Sequence, residues 1–128
     1  MISNNKIQKT GGCHCGRVRF QVKAHFTQGL ICNCSICQKK GFIHLIIEES
    51  KDFTLLTSES DLATYTFGTH TAKHHFCRHC GISSFYVPRS HPNGFSINLR
   101  CIDNIDLGAI SITDFDGKHW EDNIHLIK

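Results

Sequence analysis

Seven of eight cysteines, gathered into three tight clusters, constrain this chain more than any other feature. The clusters are Cys13-His14-Cys15, then Cys32-Asn33-Cys34-Ser35-Ile36-Cys37, then Cys77-Arg78-His79-Cys80, with Cys101 alone. Thiolates bind zinc tetrahedrally at about 2.3 Å, so a closed structural site wants four of them. Two short-spaced pairs complete such a site, and a triple falls one short. Cys13, Cys15, Cys77 and Cys80 are therefore expected to form a four-sulfur zinc site that closes a loop of about sixty residues, where a metal clip offsets the entropy of closure. Gly16 and Gly81, each directly after a pair, suit the tight turns that wrap a metal. The bland reading is four buried free cysteines in a β core.

Cys32, Cys34 and Cys37 make the second cluster. Three protein ligands with an open position is the pattern of a reactive zinc. The alternative is a closed site whose fourth ligand is Cys101 or a histidine. Zinc with three thiolates carries a net negative charge, so it activates water less readily than zinc held by three neutral histidines. It does capture a further sulfur as thiolate. A thiol substrate therefore suits this cluster better than a hydrolytic one.

Disulfides are the other use of paired cysteines. The polar amino-terminal segment has no secretory apolar stretch, and cysteines one residue apart are poorly placed to bridge. No run approaches the roughly 18 apolar residues of a membrane span. The expected address is the cytoplasm, or the nucleus in a eukaryote. A net charge of +3 is spread along the chain, with Gln38-Lys39-Lys40 the only short basic cluster, so a nucleic-acid partner is not expected.

At 128 residues, 40% hydrophobic and 20% charged, the chain suits one globular domain. Residues 1–10 read as a polar extension and residues 11–128 as a single domain. Short segments rich in β-branched and aromatic residues lie between glycines. Arg17 to Val22 alternates apolar and polar, which predicts a half-buried strand. Phe42 to Ile47 is nearly continuous apolar. Phe53 to Leu56, Thr64 to Phe67, Ser83 to Val87, Phe95 to Leu99 and Ala109 to Thr113 read as further strands. Ser35 to Lys40 is the single helical turn, with a serine available to cap it. The fold class is all-β, or nearly so.

Five ordered stretches resemble a known family. They are Gly12-Cys13-His14-Cys15-Gly16, Cys32 to Cys37, Ala72 to Gly81, Ser84-Phe85-Tyr86-Val87-Pro88-Arg89-Ser90 and Asn98-Leu99-Arg100-Cys101-Ile102-Asp103. Together they are similar to the glutathione-dependent formaldehyde-activating enzymes, most closely the centromere protein V-like branch, from about Gly11 to Trp120. The resemblance implies a small tent-like, Mss4-like β fold with two Zn2+ ions per chain. The structural ion would use Cys13, Cys15, Cys77 and Cys80, and the second would use Cys32, Cys34 and Cys37. It also implies a carbon–sulfur lyase that joins glutathione and formaldehyde into S-hydroxymethylglutathione.

Glutathione, or an adduct of it, is the expected partner, and its carboxylates invite basic clamps. Arg17, Arg89, Arg100 and Lys73 are candidates because they flank the motifs. His74 and His75 alternate in and out if their segment is a strand, and one of them could serve as acid or base. Ser84-Phe85-Tyr86 reads first as a core strand, and Phe115 and Trp120 as residues that close the core or line a pocket. Two rival functions stand beside this reading. One is a non-catalytic zinc module for protein or cytoskeletal partners, and the other is different glutathione-conjugate chemistry.

Overall fold

The computed structural model describes residues 6–127. Among the described residues, ten short strands form three sheets, as expected for a mainly β chain. The first sheet holds β1 (Ile7–Gly12), β2 (Arg19–Ala24) and β5 (Phe53–Leu55), all antiparallel. The largest runs in the order β10 (Ser111–Phe115), β3 (Gln28–Cys32), β4 (His44–Ile47), β9 (Phe95–Asn98) and β8 (Phe85–Tyr86). β10 joins β3 in parallel and the other pairs are antiparallel. A separate hairpin pairs β6 (Leu62–Tyr65) with β7 (His74–Cys77).

The predicted alternation places the core. Val18, Phe20 and Val22 are fully buried on one face of β2 and the turn before it. Phe20 stacks on Phe53, Phe53 on Phe95, and Phe85 meets Phe20 edge-on, which ties the first sheet to the largest one. Such pairs add to the plain burial of aromatic area. β4 lies between β3 and β9, with Ile47 buried in the core and Ile46 lining a cavity, which is why its sequence is almost unbroken apolar.

Several expectations need correction. The strand β1 takes in residues 7–10, which the sequence reading placed in a polar extension; residues 1–5 of that extension lie outside the described residues. β1 is an edge strand with its first residues exposed, so it carries little apolar signal. β3 was not anticipated because Gly29 interrupts its pattern. A side chain at Gly29 would run into Leu99 and Ile43, so the gap is filled from across the core.

The helix α1 (Ser35–Lys40) has the expected bounds, but its N-cap is Cys34 rather than a serine and makes no side-chain cap bond. The helix is fastened at its other end, where left-handed Gly41 donates its N–H to the carbonyl of Cys37. Residues beyond Phe115 fold into helical turns that the strand-centred reading missed. These are a 3₁₀ turn at Gly117–His119, α2 (Trp120–Asn123) and a second 3₁₀ turn at Ile124–Leu126. Among the described residues no helix is long and apolar enough to cross a membrane.

Candidate metal centres and their cavity

The hairpin and the turn between β1 and β2 bring the first and third cysteine clusters together. The sulfurs of Cys13, Cys15, Cys77 and Cys80 all lie within 4.8 Å of one another. Cys13 to Cys15 and Cys15 to Cys77 are both 3.6 Å apart. A tetrahedral zinc with bonds of about 2.3 Å requires sulfur separations of about 3.8 Å, so the four residues fit that ion. Gly16 and Gly81, one after each pair, have φ of 85° and 81°, the left-handed turns expected of them. Amides turn in toward the sulfurs: Val18 donates to Cys13, and His79 and Cys80 donate to Cys77. These bonds offset part of the negative charge of four thiolates.

The sulfurs of Cys32, Cys34 and Cys37 form a second group, again within 4.8 Å. β3 delivers Cys32, and the start of α1 delivers the other two. The three sulfurs compete for negative charge. Hydrogen bonds from the Cys32 and Cys37 thiols hold Cys34 far below the ordinary thiol value, with the amides of Cys37 and Ile36 adding to the effect. Contact with Cys34 pushes Cys32 up, and contacts with Cys32 and then Cys34 push Cys37 up. An all-thiolate set of this kind suits zinc. Among the described residues no fourth Cys, His, Asp or Glu atom joins the group. Cys101, a candidate for that place, lies beside Cys13 on a different cavity, and burial pushes its thiol up to about 11.

The three sulfurs border a cavity of about 310 Å³. Its walls are mostly apolar, with Leu30, Ile46, Phe67 and Trp120 among them. His44, Tyr86 and Ser96 form a buried polar group on one wall. The His44 Nδ1 is 2.9 Å from the Ser96 Oγ and 3.3 Å from the Tyr86 hydroxyl. Its Nε2 is buried and has no protein partner. His74 stacks between Phe67 and Tyr86, and its Nδ1 accepts from the Lys40 ammonium at 3.2 Å. Lys40 in turn lies over the Tyr86 ring, 4.1 Å from its centroid.

The histidine pair of β7 thus splits as the strand alternation requires. His74 faces the cavity, while His75 bonds Thr64 across the hairpin. Of the four basic candidates only Arg89 borders this cavity. Arg17 is exposed beside the four-sulfur group, Arg100 borders the other cavity, and Lys73 donates to the His70 carbonyl. Phe115 and Trp120 both line the three-sulfur cavity. Sequence assigns Tyr86 to a core strand and Lys40 to a basic cluster rather than to the site, and it does not mark His44 or Ser96 individually. A histidine inside the apolar run Phe42 to Ile47 was the one available signal.

Burial drives His44 down to about 3 and His74 down to about 4, so both rings are neutral at pH 7. A histidine depressed in the folded state contributes stability above its unfolded value near 6.5, and that stability is lost as pH falls toward the folded value. For His44 the expected slope is about 1.4 kcal/mol per pH unit between roughly pH 6 and pH 3. His44→Asn should flatten it. Denaturant unfolding across that range checks this, and equal slopes in both proteins would contradict it.

The same architecture appears in known proteins. The chain matches the glutathione-dependent formaldehyde-activating enzyme profile over residues 8–115. The chain belongs to that family. A crystal structure of a Rhodobacter sphaeroides protein matches with a TM-score of 0.73 at 34% identity, covering 81% of this chain and 99% of its own. The family match ends at Phe115, the last residue of β10.

Just past that family boundary, Gly117 packs against the second sulfur group. A Cβ there would collide with the Cys32 sulfur and crowd Cys34. Asn33, between those two cysteines, clasps this segment. Its side chain donates to Asp116 and accepts from the Lys118 amide, both at 3.0 Å, and its own amide donates to the Phe115 carbonyl. Gly117→Val should therefore weaken metal at Cys32, Cys34 and Cys37 by about 10- to 100-fold while sparing the four-sulfur site. Competition with a graded series of chelators measures this. Equal loss from both sites would show that the substitution acts on the whole fold.

Proposed function

We propose that the chain catalyses reversible addition of a thiol to a small aldehyde at Cys32, Cys34 and Cys37, with glutathione and formaldehyde as the pair. The observation that carries this reading is a three-sulfur group without a fourth protein ligand among the described residues, opening on an apolar cavity lined by a neutral histidine whose Nε2 has no protein partner. The family name supports the substrates. In the reaction the thiol sulfur forms a bond to the carbonyl carbon. The S–H bond gives up its proton, the π pair of the C=O bond moves to oxygen, which takes up that proton, and the product is the S-hydroxymethyl hemithioacetal.

Zinc bound to the three sulfurs would supply an open coordination position and acidify a thiol that takes it. The protein's own residues do the rest. Ser96 and Tyr86 fix the His44 ring through Nδ1, so its Nε2 serves as a proton donor or acceptor for the aldehyde oxygen. Neutral imidazole suits that role at pH 7, because its proton is shared without burying a new charge. The Lys40 ammonium, held over Phe42 and Tyr86, places a positive charge near a sulfur group that is negative overall. Apolar walls keep bulk water from the carbonyl, and enclosure converts an encounter of two solutes into a local event.

The uncatalysed addition is easy, so an acceleration of roughly 10²- to 10³-fold suffices. Exchange NMR of glutathione with formaldehyde, with and without zinc-loaded protein, tests the reading. The expected result is faster exchange between free and hydroxymethylated glutathione that disappears in His44→Asn only partly and in Cys34→Ser completely. Unchanged exchange rates in the presence of the wild-type protein would overturn it.

A further inference from the structure

Arg89 is the one permanently charged side chain among the described residues lining the three-sulfur cavity; no aspartate or glutamate borders it. Its guanidinium lies over the Trp120 ring, 3.8 Å from the centroid. Stacking on an indole fixes the plane of a guanidinium and leaves its N–H edge for an acceptor. The acceptor present is the Glu121 carboxylate, 3.5 Å away on a side chain 84% exposed. A contact that long and that exposed is weak and readily exchanged.

Trp120 and Glu121 both belong to the segment after Phe115, where the family match stops. The same segment contributes Gly117 and Ile127 to the cavity wall, and Asn33 fastens it to the sulfur loop. The wall that positions the Arg89 guanidinium therefore comes from outside the matched region.

We propose that residues 116–127 form a recognition element which, through Trp120, presents Arg89 to the carboxylate of an acidic thiol. Glu121 holds the guanidinium until the substrate carboxylate replaces it. The segment thereby selects carboxylate-bearing thiols over neutral ones at the three-sulfur centre. This inference rests on the thiol reading above and names the group that the cavity reads besides sulfur.

Calorimetric titration of the zinc-loaded protein with glutathione and with glutathione diethyl ester tests it without any turnover. The wild type should bind glutathione about 10- to 100-fold more tightly than the ester, the range expected for a charge-assisted bond. Arg89→Met should weaken glutathione by that factor and leave the ester unchanged. Glu121→Gln, at an exposed position that does not threaten folding, should tighten glutathione by about 2- to 5-fold. Equal affinity of the wild type for both thiols, or equal weakening of both in Arg89→Met, would overturn this inference and leave the thiol reading standing. Failure of both thiols to bind the wild type would overturn the thiol reading and this inference with it.

Discussion

Cys77→Ser is expected to abolish cooperative folding. The Cys77 sulfur is almost fully buried at the end of β7 and lies 3.6 Å from that of Cys15, which is 62 positions away in the chain. Among the described residues, the four-sulfur site is what ties the β1–β2 turn to the hairpin through side chains from both. Structural zinc sites of this type contribute about 10–16 kcal/mol to folding. A whole domain is stable by only about 5–15 kcal/mol, so loss of the site exceeds what the apolar core can cover. Serine is also a poor zinc ligand, and its hydroxyl would be buried where a thiolate had been. Circular dichroism with metal analysis is the check. A sharp thermal transition near the wild-type midpoint would show that the core stands without the clip.

Cys34→Ser is expected to behave in the opposite way. The second sulfur group joins residues close in sequence, Cys32 to Cys37, so a metal held there would close no long loop and organise little of the core. Cys34 is half-buried at the start of a six-residue helix that is fastened at Gly41. The variant should remain folded with a stability loss of about 1–3 kcal/mol, typical of a partly buried polar change. It should nevertheless lose its second zinc, since two thiolates and a hydroxyl make a poor site. Thiol exchange should then fall to the uncatalysed rate. Metal content and exchange NMR on one preparation check both halves. A folded variant that retained two zincs and full activity would remove these cysteines from the chemistry.

The contrast between the two sites explains what was legible in sequence. The two sulfur groups could be anticipated because pairs and a triple of closely spaced cysteines suggest one closed and one open tetrahedron, an argument that needs spacing and not coordinates. Core strands such as β2 and β4 showed themselves by alternation or by unbroken apolarity. β1 did not, because an edge strand need not be apolar. β3 did not, because the packing of Leu99 and Ile43 over Gly29 is set across the sheet. The cavity wall was the least visible part. Ser96 becomes the partner of His44 only through the register of β4 and β9, where they lie on neighbouring strands. Trp120 meets Arg89 only after the final turns fold back. Contacts between residues 31 or more positions apart leave no local pattern to find.

The proposed chemistry requires the Cys32, Cys34 and Cys37 centre to be open to a thiol while the other centre is closed. Zinc stoichiometry combined with zinc X-ray absorption, recorded with and without glutathione, tests that directly. The expected result is two zincs per chain and an increase in sulfur coordination on adding glutathione, confined to the centre that Cys34→Ser removes. Two zincs with four protein ligands each, and spectra unchanged by glutathione, would contradict it and would make both metals structural.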